Sequence, residues 1–274
     1  MLCITTVIIT KNEARNIEAC IRSAHAVSDD VIVVDCGSSD GTATIAGACG
    51  AKLIAVEWQC YGHSRNTGAA AAKHDWILSL DADERVSPEL ANALHGLDLN
   101  DGLCVYKIRR ENYFAGKRLR YGTLGFEGVV RLYNRKFGQW DLFPVHEKLM
   151  TNVSKRKIKQ PIIHLGISNL SEHEQKKEHY AFLGAQKYLQ QNKKATFLKR
   201  FVSPLFNGAK SYFFQLGFLD GREGRQIAVT IAYYTWLKYK YLHQLRKQAR
   251  GKEVVLQTAA NVFASAPTSF FAKR

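Results

Sequence analysis

The spacing of four short apolar runs constrains this chain more than any other feature. Cys3 to Thr10 (CITTVIIT), Asp30 to Asp35 (DVIVVD), Lys52 to Glu57 and Trp76 to Leu80 (WILSL) are rich in β-branched or large apolar residues without alternation, the pattern of strands buried on both faces. Between them the period becomes helical. Ile17, Cys20, Ile21 and Ala24 fall at i, i+3, i+4 and i+7 within Glu13 to Val27, Thr42 to Gly50 closes on a glycine, and Ser64 to Lys73 is alanine-rich. Ser87-Pro88-Glu89 opens a further helix: serine caps, proline suits the first helical position and glutamate complements the dipole. Strands and helices in alternation predict parallel βαβ units, hence an α/β fold with a mostly parallel, doubly wound sheet.

From Gly102 the rhythm changes. Residues 102–122 read as strand and hairpin material, Val129 to Tyr133 as another strand, and about Ser171 to Arg250 as helix broken by Gly and Asp between Leu216 and Gly224. The segment after Lys252 is short and weakly patterned and reads as a tail, whose order the sequence leaves open. The 6 cysteines all precede residue 105 and include no C-x-x-C pair, so they read as buried thiols in a reducing compartment. No basic region precedes the first apolar run, and no run reaches the roughly 18 apolar residues of a spanning helix. The expectation is a cytoplasmic protein.

Charge divides the chain. Residues 1–150 carry 17 Lys and Arg against 18 Asp and Glu, whereas residues 151–250 carry 19 against 5. A near-neutral front joined to a basic back suggests that the back meets a polyanion or an acidic membrane surface. The back interleaves cations with aromatics, and Gln226 to Leu237 is a 12-residue charge-free stretch, too short to span a bilayer, followed by Lys238, Lys240, Arg246, Lys247 and Arg250. That pattern fits a helix lying in a membrane interface; a core helix with a solvated charged end is the alternative. No helix-turn-helix, zinc-finger or RNA-binding signature accompanies the cations, and no nucleic-acid partner is expected.

In an open parallel sheet, ligands bind beyond the carboxyl ends of the strands. The first strand is followed by Lys11-Asn12-Glu13, the second by Asp35 to Thr42 (DCGSSDGT), and the fourth by Asp81-Ala82-Asp83-Glu84. Neither the G-x-G-x-x-G turn of dinucleotide enzymes nor the P-loop signature is present. Asp81 and Asp83 at a strand exit can serve one ligand together. Mg²⁺ and Mn²⁺ take one or two carboxylates plus phosphate oxygens, so a sparse acidic pair points to a phosphate-bearing substrate.

The ordered set VIITKNE (Val7 to Glu13), VVDCGSSDGT (Val33 to Thr42), SRNTG (Ser64 to Gly68) and LDADE (Leu80 to Glu84) resembles the nucleotide-sugar-binding half of family 2 glycosyltransferases with the GT-A fold. The resemblance implies that Thr10, Asn12, Glu13, Asp35, Ser38 and Asp40 face the uridine of a UDP-sugar. It places Arg65 near the nucleotide, Asp81 near the ribose or sugar and Asp83 on a metal, Mg²⁺ or Mn²⁺. Cys36 departs from the second aspartate common in the family. Local roles also remain open: Asp40 as a helix cap, Asn12 and Glu13 as cap and first-turn acid, Arg65 as a surface cation.

Arg109 to Gly122, Val129 to Arg135, Phe143 to Leu149 and Gly217 to Gly224 are similar to the subgroup that adds β-linked glucose to the lipopolysaccharide inner core. The resemblance implies a nucleotide-sugar half over 1–100, an acceptor half over 101–165, a basic aromatic helical extension over 166–250 and a tail over 251–274. It implies a UDP-sugar donor, UDP-glucose foremost, a glycolipid acceptor and the cytoplasmic face of the inner membrane. An exopolysaccharide or protein acceptor is the rival. Inverting transfer needs a base for the acceptor hydroxyl. Glu147 is the leading candidate, with His146 to orient it or bind phosphate, and Glu127 and Asp141 are its rivals. Arg109, Arg110, Arg118, Arg120 and Arg131 are candidate cations for the diphosphate or acceptor, Arg131 foremost.

Overall fold

A computed structural model of the chain describes residues 3–100, 103–143, 147–167 and 170–264, with side chains undescribed at 170–176 and 250–264. The front half folds as the alternation predicts: β1 (Ile4–Thr10), α1 (Ile17–Ala24), β2 (Asp30–Asp35), α2 (Thr42–Ala48), β3 (Lys52–Ala55), α3 (Tyr61–Ala70), β4 (Trp76–Asp81), β5 (Glu84–Val86) and α4 (Pro88–His95). The helix α1 starts at Ile17, the first residue of its apolar period, and Glu13 to Asn16 before it form a turn, with Ile17 N–H donating to the Glu13 carbonyl. Ser87 caps α4, its hydroxyl accepting from Leu90 N–H at 3.1 Å.

The strands β1 to β4 are parallel, in the order β3-β2-β1-β4. Every residue of β1 is buried, and its alternate side chains feed different layers: Ile4 and Ile8 pack with α1 and α4, Val7 and Ile9 with α3 and Trp140. Full burial of each such side chain contributes about 1.5–3 kcal/mol relative to exposure. On the α3 face the approach is close, since a Cβ at Gly68 would lie 2.3 Å from Val7 Cγ1, so the helix carrying Arg65 lies directly on the sheet.

Beyond β4 the sheet becomes mixed. The later elements are β6 (Cys104–Phe114), β7 (Lys117–Arg118), α5 (Gly122–Gly125), β8 (Gly128–Asn134), β9 (Gly138–Trp140), β10 (Leu149–Thr151) and β11 (Ser154–Ile167). The strand β8 runs antiparallel between β4 and β6, β11 runs parallel to β6, and β5 closes the order on the other side of β11. The two halves therefore share one sheet, and the GT-A type of α/β fold is present. The long β11 has no counterpart in the sequence reading, because its first turn of residues is basic and exposed.

The helical part comprises α6 (Leu170–Gln190), a π-helical turn (Leu198–Val202), α7 (Ser203–Ala209), a second π-helical turn (Lys210–Phe214), a 3₁₀ turn (Gly217–Asp220) and α8 (Arg222–Ala264). The expected tail from 251 is helical as far as Ala264, continuing α8. This part docks on the sheet through Phe114, Leu119, Ile167 and Ile227, and through the Asp220 carboxylate, which accepts from the Arg120 and Tyr121 amides at 3.0 and 2.9 Å. No helix among the described residues is long and apolar enough to cross a membrane.

Candidate active site

The ends of β1 and β2 form the first part of the site. Thr10 and Asp35 are register partners. Asn12 adopts a left-handed backbone, φ 56°, which asparagine tolerates. Its amide N–H donates to Ser38 Oγ at 2.8 Å and its side-chain oxygen accepts from Ser39 N–H at 2.8 Å. Ser38 in turn donates its hydroxyl to Asp35 at 2.5 Å. Asp40 accepts from the Thr42 amide and hydroxyl and from Ala14 N–H, so it holds the first amide of α2 from the residue before the N-cap, Gly41, and staples the two loops together. Glu13 accepts from the Asn16 side chain at 2.7 Å, and Asn16, not Asn12, occupies the N-cap of α1. Thr10 Oγ1 is buried with no hydrogen-bond partner among the described residues. Cys36 is buried against Ser64 Oγ at 3.2 Å, and burial pushes its thiol pKa up.

The second part gathers charge at the end of β4. Arg65 is 2% exposed, held by Ser79 Oγ at 2.6 Å and Asp81 Oδ1 at 2.6 Å, with its guanidinium 5.0 Å from the Trp140 ring centre. It is not a helix-surface cation. Arg131 reaches Asp81 Oδ2 at 2.5 Å and Glu84 Oε1 at 2.8 Å; Arg110 binds the same two carboxylates. Glu84 is fully buried and also accepts the Asp81 amide at 2.9 Å. Burial pushes the Asp81 carboxyl pKa upward, but Arg131, Arg65 and Arg110 outweigh it and hold the group ionised well below the usual carboxylate range. Of the other candidate cations, Arg118 pairs with Glu111 at 2.8 Å, and Arg109 and Arg120 are exposed.

Asp83 lies in the turn between β4 and β5. Because β5 pairs antiparallel with β11, His164 is opposite Glu84 and its Nε2 comes to 3.4 Å from Asp83 Oδ2. The other ring nitrogen contacts Asn112 Oδ1 at 2.6 Å, so Asn112 fixes the ring. Asp83 Oδ1 is buried with no hydrogen-bond partner among the described residues. A side chain at position 166 would be excluded: a Cβ on Gly166 would lie 2.4 Å from His164 Nε2 and 3.0 Å from Asp83 Oδ2. Asp83 and His164 thus converge on one small space, an orphaned carboxylate oxygen beside an imidazole. Among the described residues no three His, Cys, Asp or Glu side chains form a closed cage. The arrangement suits instead a divalent cation completed by phosphate oxygens and water. His164 escaped the sequence reading, which had no local signal for it.

The three carboxylates that the sequence offers as base candidates sit in different surroundings. Glu147 Oε1 lies 3.3 Å from Arg65 Nε, so one guanidinium bridges it to Asp81. Glu127 receives the Asn112 amide at 3.0 Å and lies 3.6 Å from Arg110. Asp141 accepts weakly from Phe143 N–H at 3.4 Å within its own loop. Glu147 alone of the three is tied to Arg65. His146 lies outside the described residues.

The glycosyl transferase family 2 model matches residues 5–153, more than half of the chain. An uncharacterised glycosyltransferase of Rickettsia typhi is 27% identical over 260 residues, 90% of this chain and 89% of the relative. The lipopolysaccharide core biosynthesis glycosyltransferase LpsC of Rhizobium meliloti is 25% identical over 246 residues, 86% of this chain and 90% of the relative. A solved glucosyl-3-phosphoglycerate synthase from Mycobacterium tuberculosis, in complex with Mn²⁺, UDP and glucosyl-3-phosphoglycerate, is 27% identical with a TM-score of 0.32. That match covers 38% of this chain, which spans less than half, 43%, of the synthase chain.

Proposed function

This chain belongs to glycosyltransferase family 2, and from that premise we propose that it transfers a hexose with inversion, glucose from UDP-glucose, to a sugar of a lipopolysaccharide inner core. The observation that carries the reading is the Asp81 to Glu84 turn, where one ionised carboxylate is locked by three arginines and a second, Asp83, is left half-partnered beside His164. The likeness to LpsC across 86% of the chain supports the acceptor class.

In this reading residues 1–100 bind the donor and 101–165 the acceptor. Thr10, Asn12, Glu13, Asp35, Ser38 and Asp40 line the uridine cup, and Asp81 accepts a hydroxyl of the ribose or hexose. With Asp83 and His164 as its protein ligands, a bound Mg²⁺ or Mn²⁺ would neutralise the diphosphate. Glu147 takes the proton of the acceptor hydroxyl as that oxygen bonds to the anomeric carbon on the face opposite the diphosphate; the carbon–oxygen bond to the diphosphate breaks and UDP leaves. Arg65, touching both Asp81 and Glu147, fixes donor and base relative to each other. The enzyme works as a peripheral protein at the cytoplasmic face of the inner membrane.

Calorimetric titration with UDP-glucose, UDP-galactose and UDP-N-acetylglucosamine, with Mn²⁺ and again with chelator, tests the donor half. Metal-dependent binding that prefers UDP-glucose is expected. Asp83→Ala removes the metal-dependent part, about 10²-fold or more, while the unfolding midpoint stays near wild type. Metal-independent binding, or a collapsed midpoint in Asp83→Ala, overturns the metal assignment. Turnover on an exopolysaccharide or protein in place of the phosphorylated glycolipid overturns the acceptor assignment.

A further inference from the structure

Away from the sugar site, the helical stretch 197–214 is built inside out. Its buried positions are Pro204, Gly208 and Ser211, whereas Phe197, Leu198, Leu205, Phe206, Phe213 and Phe214 face outward, Phe214 78% and Leu205 72% exposed. A helix of a water-soluble surface does the reverse. The inversion is specific rather than a packing failure, because the small and polar residues have partners. Gly208 packs against Ala232, Asn207 Nδ2 donates to Thr235 Oγ1 at 3.3 Å, and Ser211 Oγ accepts from Thr123 N–H at 3.2 Å.

The surface continues beyond this stretch. Val229, Tyr233 and Trp236 are exposed on α8, each one residue beyond Ala228, Ala232 and Thr235, the positions that contact α7. Successive helix residues differ by about 100°, so this stripe adjoins α7. The Tyr233 and Trp236 rings stack at 6.0 Å, and Lys240 Nζ lies 4.9 Å from the Trp236 ring centre. Phe218 and Leu219 in the 3₁₀ turn are exposed as well. A contiguous apolar surface of this kind is an interaction site.

Charge identifies the occupant. Between Glu178 and Asp220 the sequence has no Asp or Glu and six Lys or Arg, including Lys199, Arg200 and Lys210 within the inverted stretch. A second copy meeting this face about a two-fold axis would set like charge against like. Aromatics flanked by cations with no acid fit an anionic bilayer, where rings sit at headgroup depth and cations meet lipid phosphate.

We propose that the outward face of residues 197–214, with the adjoining stripe of α8, inserts into the headgroup layer of an anionic membrane and is the element that holds the protein there. This deepens and rests on the peripheral-membrane part of the proposed function, and is independent of which sugar is donated. The surface is laid on the bilayer, not through it.

Flotation of the full chain with vesicles of phosphatidylcholine, alone or mixed with phosphatidylglycerol, tests this. The wild type binds the mixed vesicles more tightly. Phe213→Ser/Phe214→Ser lowers affinity for both vesicles by roughly tenfold or more. Lys199→Gln/Arg200→Gln/Lys210→Gln removes only the preference for phosphatidylglycerol. Phe137→Ser, at an exposed phenylalanine of the front half, binds like wild type. UDP-glucose binding in lipid-free solution is unchanged in every variant, and vesicle binding without UDP-glucose binding would leave this proposal standing while the donor reading fails. Unaltered flotation of the Phe213→Ser/Phe214→Ser protein overturns the proposal. So does a dimer abolished by that variant in a protein that ignores vesicles.

Discussion

The end of β4 and the stretch 197–214 break the usual partition of side chains in opposite directions. At the end of β4 the protein buries charge: Arg65, Arg110 and Arg131 around Asp81 and Glu84. In the other region it exposes phenylalanine. Desolvating each ion costs several kcal/mol, and the cluster persists because every member finds an opposite charge within the chain. The exposed rings touch one another but are covered by nothing among the described residues. A buried cluster is complete in itself and answers mutation through stability and chemistry. An inverted helix is complete only with something outside, and answers through what it binds.

Mutations that separate chemistry from scaffold sharpen this comparison most. Glu147→Gln keeps the shape and the Arg65 contact but cannot take a proton, so the transfer rate should fall by about 10² to 10⁴ while donor affinity holds. Single-turnover kinetics beside calorimetry checks this; near-wild-type turnover would move the base to Glu127 or Asp141.

Arg131→Met tests the scaffold. It strips Asp81 and Glu84 of a shared partner and should destabilise the fold by about 3–5 kcal/mol in urea titration. Phe214→Ser, in the other region, should stay within about 0.5 kcal/mol of wild type. Equal effects from the two would erase the distinction.

How much of this was legible in the sequence follows the same division. The strands β1 to β4 were readable because burial on both faces leaves unbroken apolar runs, and Asp81 to Glu84 because they leave β4 at the edge where ligands bind. Arg65 was legible as a residue but not as a buried one: nothing in YGHSRNTGAA says that Trp140, far along the chain, covers it. His164 was invisible because it meets Asp83 only through the antiparallel pairing of β5 with β11, a strand whose basic start disguises it. Asp40 and Asn16 show the limit at short range, since a capping residue and a ligand residue look alike until the loops close. The aromatic cations of the back end were conspicuous, but the inward turn of Pro204, Gly208 and Ser211 needed the packing against α5 and α8.

An exposed ion pair supplies the smallest effect and the control for the buried cluster. Asp29 accepts from Lys73 Nζ at 2.6 Å and contacts His74 Nε2 at 2.7 Å, and these bonds, Lys73 first, lower its pKa from 3.8 to about 2. A depressed carboxyl pKa stabilises the fold above the unfolded value, and the contribution disappears as pH falls from near 3.8 through about 2. Solvent screens a pair at this position, so the difference in unfolding midpoint between wild type and Asp29→Asn should be small at neutral pH, shrink with added salt and vanish in acid. Arg131→Met should respond less to added salt at neutral pH, because Arg131 and its partner Glu84 are buried away from mobile ions. A salt-sensitive Arg131→Met, or an Asp29→Asn as damaging as it, would show that burial does not separate the two kinds of charge.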